Sequence, residues 1–177
     1  EVNNYPPYRN IIINGDMSLA QRGTSVSGIT DGGYRTVDRF LIGIGTAGTW
    51  TITQDTDVPT GQGFAKSLKM DCTTANASLS AGSFITFQQR IEGQNLQYLK
   101  KGTANAESVT LSFFVKSNKT GTCIAELSDR DNTRQISKSF TIDSANTWEK
   151  KTITYEGDTT GTLDNDNDGS LWLLLWF

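Results

Sequence analysis

Asp164, Asp166 and Asp168 stand at alternate positions and are followed by Gly169. That spacing matches the start of a calcium loop, in which alternate carboxylates converge on one cation and the glycine makes the sharp turn. Such a loop ends on a distal bidentate carboxylate, and Leu175 holds that place inside an apolar run. The segment is therefore read as a polar hairpin loop, with no metal site and no other cofactor expected. Two further acidic pairs, Asp55 with Asp57 and Asp129 with Asp131, have the composition of a glycosidase couple. Both fall at strand ends in turn-like surroundings and are read as solvated turn residues. Histidine is absent, which removes the commonest general base, the commonest metal ligand and every His-dependent triad. Gly43 and Gly45 lie in a strand-like run that no helix follows, so they form no phosphate cradle. Cys72 and Cys123 belong to no CxxC or Cys/His cluster and are read as two buried free thiols. No catalytic residue is named, and the chain is expected not to be an enzyme.

Four tryptophans, Trp50, Trp148, Trp172 and Trp176, admit either core packing or stacking on sugar rings. Trp172 and Trp176 share one face of a strand whose other face carries Leu171, Leu173 and Leu175. One set must line the interior; the other is left for a concave outer face or a subunit contact. Sequence alone does not choose between them, so no ligand-binding residue is assigned. With 16 basic against 19 acidic residues the formal charge is -3, which offers no basic field for a phosphate backbone. Nucleic acid is not expected as a partner. Nor is membrane insertion, because no stretch approaches a spanning helix in length and the start lacks a basic-then-apolar leader.

The elements that must hold these side chains are short strands. Gly, Ser, Thr, Asn and Asp recur at close intervals, with β-branched and aromatic residues between them. Strands are expected at 10–14, 37–44, 49–54, 65–71, 84–91, 108–117, 122–128, 134–142, 148–155 and 170–177, with one helical turn at 95–101. Residues 23–33 read as a Gly/Ser/Thr-rich loop. The fold expected is an all-β, two-sheet antiparallel sandwich of the jelly-roll kind, with Val109, Leu111, Phe113, Val115 and Phe140 pointing into one core. Residues 1–9, with Pro6 and Pro7 adjacent, are expected as an extended lead-in to a domain over 10–177. The apolar run 170–177 is expected to be a free edge strand. An unpaired apolar edge is an aggregation hazard, so one or more further C-terminal strands are expected to be missing.

The stretch Asn10-Ile11-Ile12-Ile13-Asn14-Gly15-Asp16-Met17-Ser18-Leu19-Ala20-Gln21-Arg22-Gly23-Thr24-Ser25, followed by Tyr34 and Asp38-Arg39-Phe40, resembles the opening of a group of phage tail-fibre and other virion structural proteins. Gln89-Arg90-Ile91-Glu92-Gly93, Leu111-Ser112-Phe113-Phe114-Val115-Lys116 and Thr147-Trp148-Glu149-Lys150 look like the same group, whose middle strands are similar to jelly-roll carbohydrate-binding modules. The resemblance implies that the domain continues past the apolar strand into one or two more. It also implies that Asn14, Gly15, Arg22, Asp38, Arg39 and Phe40 are framework: turns, a buried Arg/Asp pairing and core aromatics. The function it implies is a non-catalytic virion component, a tail-fibre or similar appendage that contacts host-surface glycan. Its partners would be other virion proteins, and a symmetric fibre implies a homotrimer. The alternatives are a capsid decoration or head-fibre protein, and a carbohydrate-binding module of a secreted glycoside hydrolase.

Overall fold

Strict alternation of side chains along a strand lets one face be apolar and the other wet, and the sheet pairings here keep that alternation in register across whole rows. A computed structural model describes residues 10–177; the expected lead-in at 1–9 lies outside the described residues. Among the described residues there are eleven strands: β1 (Ser25–Ile29), β2 (Gly33–Tyr34), β3 (Phe40–Gly45), β4 (Thr49–Asp55), β5 (Ser67–Thr74), β6 (Phe84–Glu92), β7 (Val109–Val115), β8 (Gly121–Asp129), β9 (Arg134–Ile142), β10 (Glu149–Tyr155) and β11 (Gly169–Trp176). All pairings are antiparallel. The chain forms a two-layer β-sandwich. One layer is a six-stranded sheet in the order β2-β3-β6-β11-β8-β9; the facing layer is split into β1-β4-β5 and β10-β7.

The split layer gives the interior two compartments. Ile29, Ile42, Ile44, Ile52 and Ile85 join β1 and β4 to β3 and β6. Val115, Ala125, Phe140, Ile142, Ile153, Tyr155, Leu173 and Leu175 join β7 and β10 to β8, β9 and β11, with Val109, Leu111 and Phe113 packed against them. The predicted core side chains thus share one compartment. The expected helical turn is two 3-10 turns, Gly93–Asn95 and Gln97–Leu99, whose Leu96 and Leu99 close one end over Ile91, Leu163 and Leu171.

Several expectations are corrected. The segment 10–14 forms no ladder. It is held instead by one buried side chain: the Ile13 N–H donates to Gln89 Oε1 at 2.8 Å and Gln89 Nε2 donates to the Ile13 carbonyl at 2.9 Å. The expected loop at 23–33 contains β1 and the first residue of β2. A bulge between Val26 and Ile29, with Gly28 at φ 72, breaks the alternation that would have revealed β1. Cys72 is exposed, and Cys123 is half-buried beside the larger compartment; both are free thiols.

The largest correction concerns β11. It is a central strand, paired with β6 on one side and β8 on the other, and not a free edge. Its apolar character follows from burial of the Leu171, Leu173 and Leu175 face together with Leu174. The inference of missing strands from an unpaired edge, and of aggregation with it, therefore has no footing.

The turn between β9 and β10 is held by Glu149. Its carboxylate accepts the N–H groups of Asp143 and Ser144 and pairs with Lys151. The Lys151 ammonium, followed by those two N–H groups, pulls the Glu149 carboxyl from 4.5 down to about 2. A lowered folded-state value stabilises the fold above the unfolded value and ceases to do so as pH falls through the folded one. Acid titration should therefore show a loss of stability between pH 4.5 and about 2 that is reduced in Glu149→Gln. Chemical denaturation of both proteins at several pH values measures it, and identical pH dependence would refute the assignment.

Candidate ligand-binding face

The outer face of the six-stranded sheet collects the side chains that the core does not take. Successive rows across the strands can be read from the pairing register. Arg90, Trp172 and Ser128 stand side by side; then Leu41, Gln88, Leu174, Glu126 and Ser137; then Gly43, Thr86, Trp176, Ile124 and Ser139. Phe84 follows beside Gly45. Leu171, Leu173 and Leu175 of β11 therefore face inward, and Trp172 and Trp176, with Leu174 between them, outward, which resolves the choice that the alternation left open.

Glycines on β3 let this face lie flat. A Cβ at Gly43 would overlap the Thr86 hydroxyl and meet Gln88, and one at Gly45 would overlap the Phe84 ring. Their absence of side chains allows Gln88 and Phe84 to recline across β3. Gln88 Nε2 donates to Thr86 Oγ1 at 2.7 Å. Phe84, 40% exposed, meets Trp176 with ring centroids 6.0 Å apart. Three polar atoms on the face, Gln88 Oε1, Trp176 Nε1 and Arg90 Nε, have no hydrogen-bond partner among the described residues. Such atoms each cost about 1–3 kcal/mol when withdrawn from water and left unpaired. A hydroxyl-bearing ligand reaching them would recover that cost.

Trp172 is not a free platform. The Arg90 guanidinium carbon lies 3.8 Å from its ring centroid and that of Arg130 lies 4.5 Å away. Its Nε1 donates to the Gly169 carbonyl at 2.8 Å, fixing the ring. The other two tryptophans belong to the opposite layer and are structural: Trp50 donates to the Ala47 carbonyl and packs on the smaller compartment, and Trp148 donates to Asp57.

At the Arg90 end the face opens into a cleft of about 450 Å³ lined by Arg22, Tyr34, Asp38, Arg39, Glu92 and Asn167, among others. Arg22 pairs with Asp38 at 2.8 Å, and Arg39 pairs with Glu92 at 2.8 Å. Burial opposes ionisation of Glu92, but its backbone and the Arg39 guanidinium together hold the carboxyl below its ordinary value. The framework reading of these residues is corrected in one respect, because Arg22 is half-exposed and its pairing with Asp38 is not buried. Asn14, at φ 58, holds its turn through side-chain bonds to the Leu19 and Asp38 backbones, and Phe40 stacks on Phe87 in the core.

The acidic candidates do not assemble. Asp164, Asp166 and Asp168 lie in the loop before β11, where the Asp166 carboxylate accepts the Asp168 N–H, and the Asp164 N–H donates to Asp131. Among the described residues no group of three or more His, Cys, Asp or Glu side chains is arranged to hold a metal ion. Asp57 accepts from Lys116 and Trp148, which hold its carboxyl below the ordinary value. Asp129 is buried rather than solvated, paired with Lys101 at 2.6 Å. The residues that sequence reasoning missed are Phe84, Gln88, Arg90, Glu126 and Arg130. The alternation of Phe84, Thr86, Gln88 and Arg90 against Ile85, Phe87 and Ile91 carried a signal for the first three.

No protein-family model matches the chain, and no curated protein matches it. Among solved structures it is similar to the enzymatically active domain of tailspike protein 4 of bacteriophage CBA120, with TM-score 0.51 and 14% identity over 94% of this chain. The chain spans 19% of the length of that tailspike chain. It also matches a CBM4 structure with TM-score 0.36 and 15% identity, over 92% of this chain and 70% of that one. At such identity the tailspike match is a likeness of fold.

Proposed function

We propose that this sandwich is a non-catalytic, glycan-binding module on the surface of a phage particle, in a tail fibre or similar appendage that contacts the host envelope. The observation that carries the binding reading is the outer sheet face. There an aromatic pair, the exposed Phe84 and the half-buried Trp176, borders polar atoms without partners, and the Ser137 and Ser139 hydroxyls stand on the same face. Aromatic rings pack on the C–H faces of sugars, and amides and carboxylates such as Gln88 and Glu126 exchange hydrogen bonds with their hydroxyls. The particle-surface reading is supported by the resemblance of residues 10–40 to virion proteins and by the tailspike likeness in fold. Other virion proteins are the proposed neighbours, and a homotrimer is the proposed assembly.

Titration calorimetry with a panel of bacterial surface polysaccharides tests the binding reading. At least one should bind, and Phe84→Ala should weaken that binding by about tenfold, equivalent to ~1.4 kcal/mol. Trp148→Ala, in the opposite layer, should leave affinity unchanged. Binding by no polysaccharide, or binding indifferent to Phe84, would reject this face as the site.

A further inference from the structure

We infer that the Arg90–Trp172–Arg130 stack is a subsite for a carboxylate-bearing sugar, so that the glycan recognised by this face is acidic. The inference rests on the proposed glycan-binding function and names its substrate class. Four of the six described arginines, Arg22, Arg35, Arg39 and Arg134, pair with a carboxylate. The two that do not, Arg90 and Arg130, are the two that stack on Trp172. In a chain with an excess of acidic residues, two adjacent guanidinium groups without counter-charges are set apart by placement and not by composition.

Stacking explains how they are held. A guanidinium against an indole face is retained by the π system through its flat side, while the N–H donors in its plane stay free. Arg90 comes from β6 and Arg130 follows the end of β8, the strands on either side of β11, so each fork approaches Trp172 from its own side. The indole cannot swing away, because its Nε1 is bonded to the Gly169 carbonyl. Arg90 also keeps a buried Nε without a partner. The result is two pre-oriented forks of the shape that binds carboxylate bidentately.

Local acids do not compete for them. In the adjoining cleft Asp38 is taken by Arg22 and Glu92 by Arg39, leaving Arg90 as the unneutralised charge in its wall. A sugar chain laid along the face from Phe84 and Trp176 would cross the Gln88–Leu174–Glu126 row and then reach the Trp172 row of the same sheet. The aromatic end would then hold sugar rings and the arginine end their acid groups.

The test presents each polysaccharide of the panel to the intact chain twice, once native and once with its carboxyl groups reduced to primary alcohols. The native acidic form should bind about tenfold more tightly at low salt. Arg90→Gln and Arg130→Gln should each remove that preference, and Arg130→Gln should do so while leaving affinity for the reduced form unchanged. Arg130→Lys, which keeps the charge but not the fork, should not restore it. Arg130 is exposed, so its variants keep the subsite testable if Arg90→Gln disturbs the sheet. Equal binding of native and reduced forms would overturn the acidic subsite and leave the glycan-binding reading standing. Equal binding of dextran sulfate, together with a preference for the native form that Arg130→Lys retains, would show charge attraction alone and also overturn it. Binding of neither form would reject the proposed function with it.

Discussion

Replacing Lys101 by methionine is expected to cost about 3–5 kcal/mol of folding stability, the range for removing one partner of a buried ion pair. The Lys101 side chain is 11% exposed and that of Asp129 5%. Its ammonium lies 2.6 Å from Asp129 and 3.2 Å from Asp158, and it donates to the carbonyls of Thr160 and Gly161 at 2.9 Å. Methionine fills most of the same volume, so the loss falls on the unpaired Asp129 carboxylate and on two carbonyls without donors. The Asn132 amide, which also donates to Asp129, cannot neutralise the charge. Urea unfolding of the wild type and Lys101→Met measures the difference. The double variant Lys101→Met, Asp129→Asn should recover part of it, since a buried charge is then no longer left alone. A cost below about 1 kcal/mol would mean that water reaches Asp129 and that the pair behaves as a surface one. The same network ties the loop before β11 to the turn after β8, next to Arg130, so its loss should also loosen the proposed acidic subsite.

That network was invisible in the sequence. Asp129 lies in a turn-like stretch, and its partner arrives from residues far earlier in the chain, through the 3-10 turns. The same limit explains the misreading of β11. Its apolar run and the separation of Leu171, Leu173 and Leu175 from Trp172 and Trp176 follow from local alternation, and the structure keeps that separation. Whether the strand lies at an edge or in the centre depends on non-local pairing with β6 and β8, which no local pattern encodes. The tryptophan reading shows both sides of this. Spacing placed Trp172 and Trp176 on one face, but only the fold reveals that two arginines occupy the faces of one ring while Phe84 leaves the other beside an exposed aromatic edge. β1 escaped because Ser and Gly separate its β-branched residues and a bulge shifts its register.

Core phenylalanines give a second large expected effect, and the structure ranks them where the sequence treated them alike. Alternation marked Phe113 and Phe140 equally as inward-facing. Phe140, on β9, is 6% exposed and meets Phe113 edge-on at 5.1 Å and Phe177 at 6.4 Å. Phe113, on β7, belongs to the smaller two-stranded sheet and is only partly buried. Truncating a fully buried phenylalanine removes its transfer energy and leaves a cavity that rigid neighbours cannot refill, for about 3–5 kcal/mol. A partly exposed ring already touches water, and the space it vacates can be hydrated, so both contributions shrink. Phe140→Ala should therefore fall in that range and Phe113→Ala below it. The two losses should also combine to less than their sum in the double variant, because each single change already breaks their shared edge-to-face contact. Denaturation midpoints of the two single variants and the double variant measure all three quantities. Equal losses from the two positions would mean that β7 and β10 pack over the large sheet more tightly than the half-exposed face of Phe113 indicates. Strict additivity would mean that the aromatic contact adds nothing beyond burial.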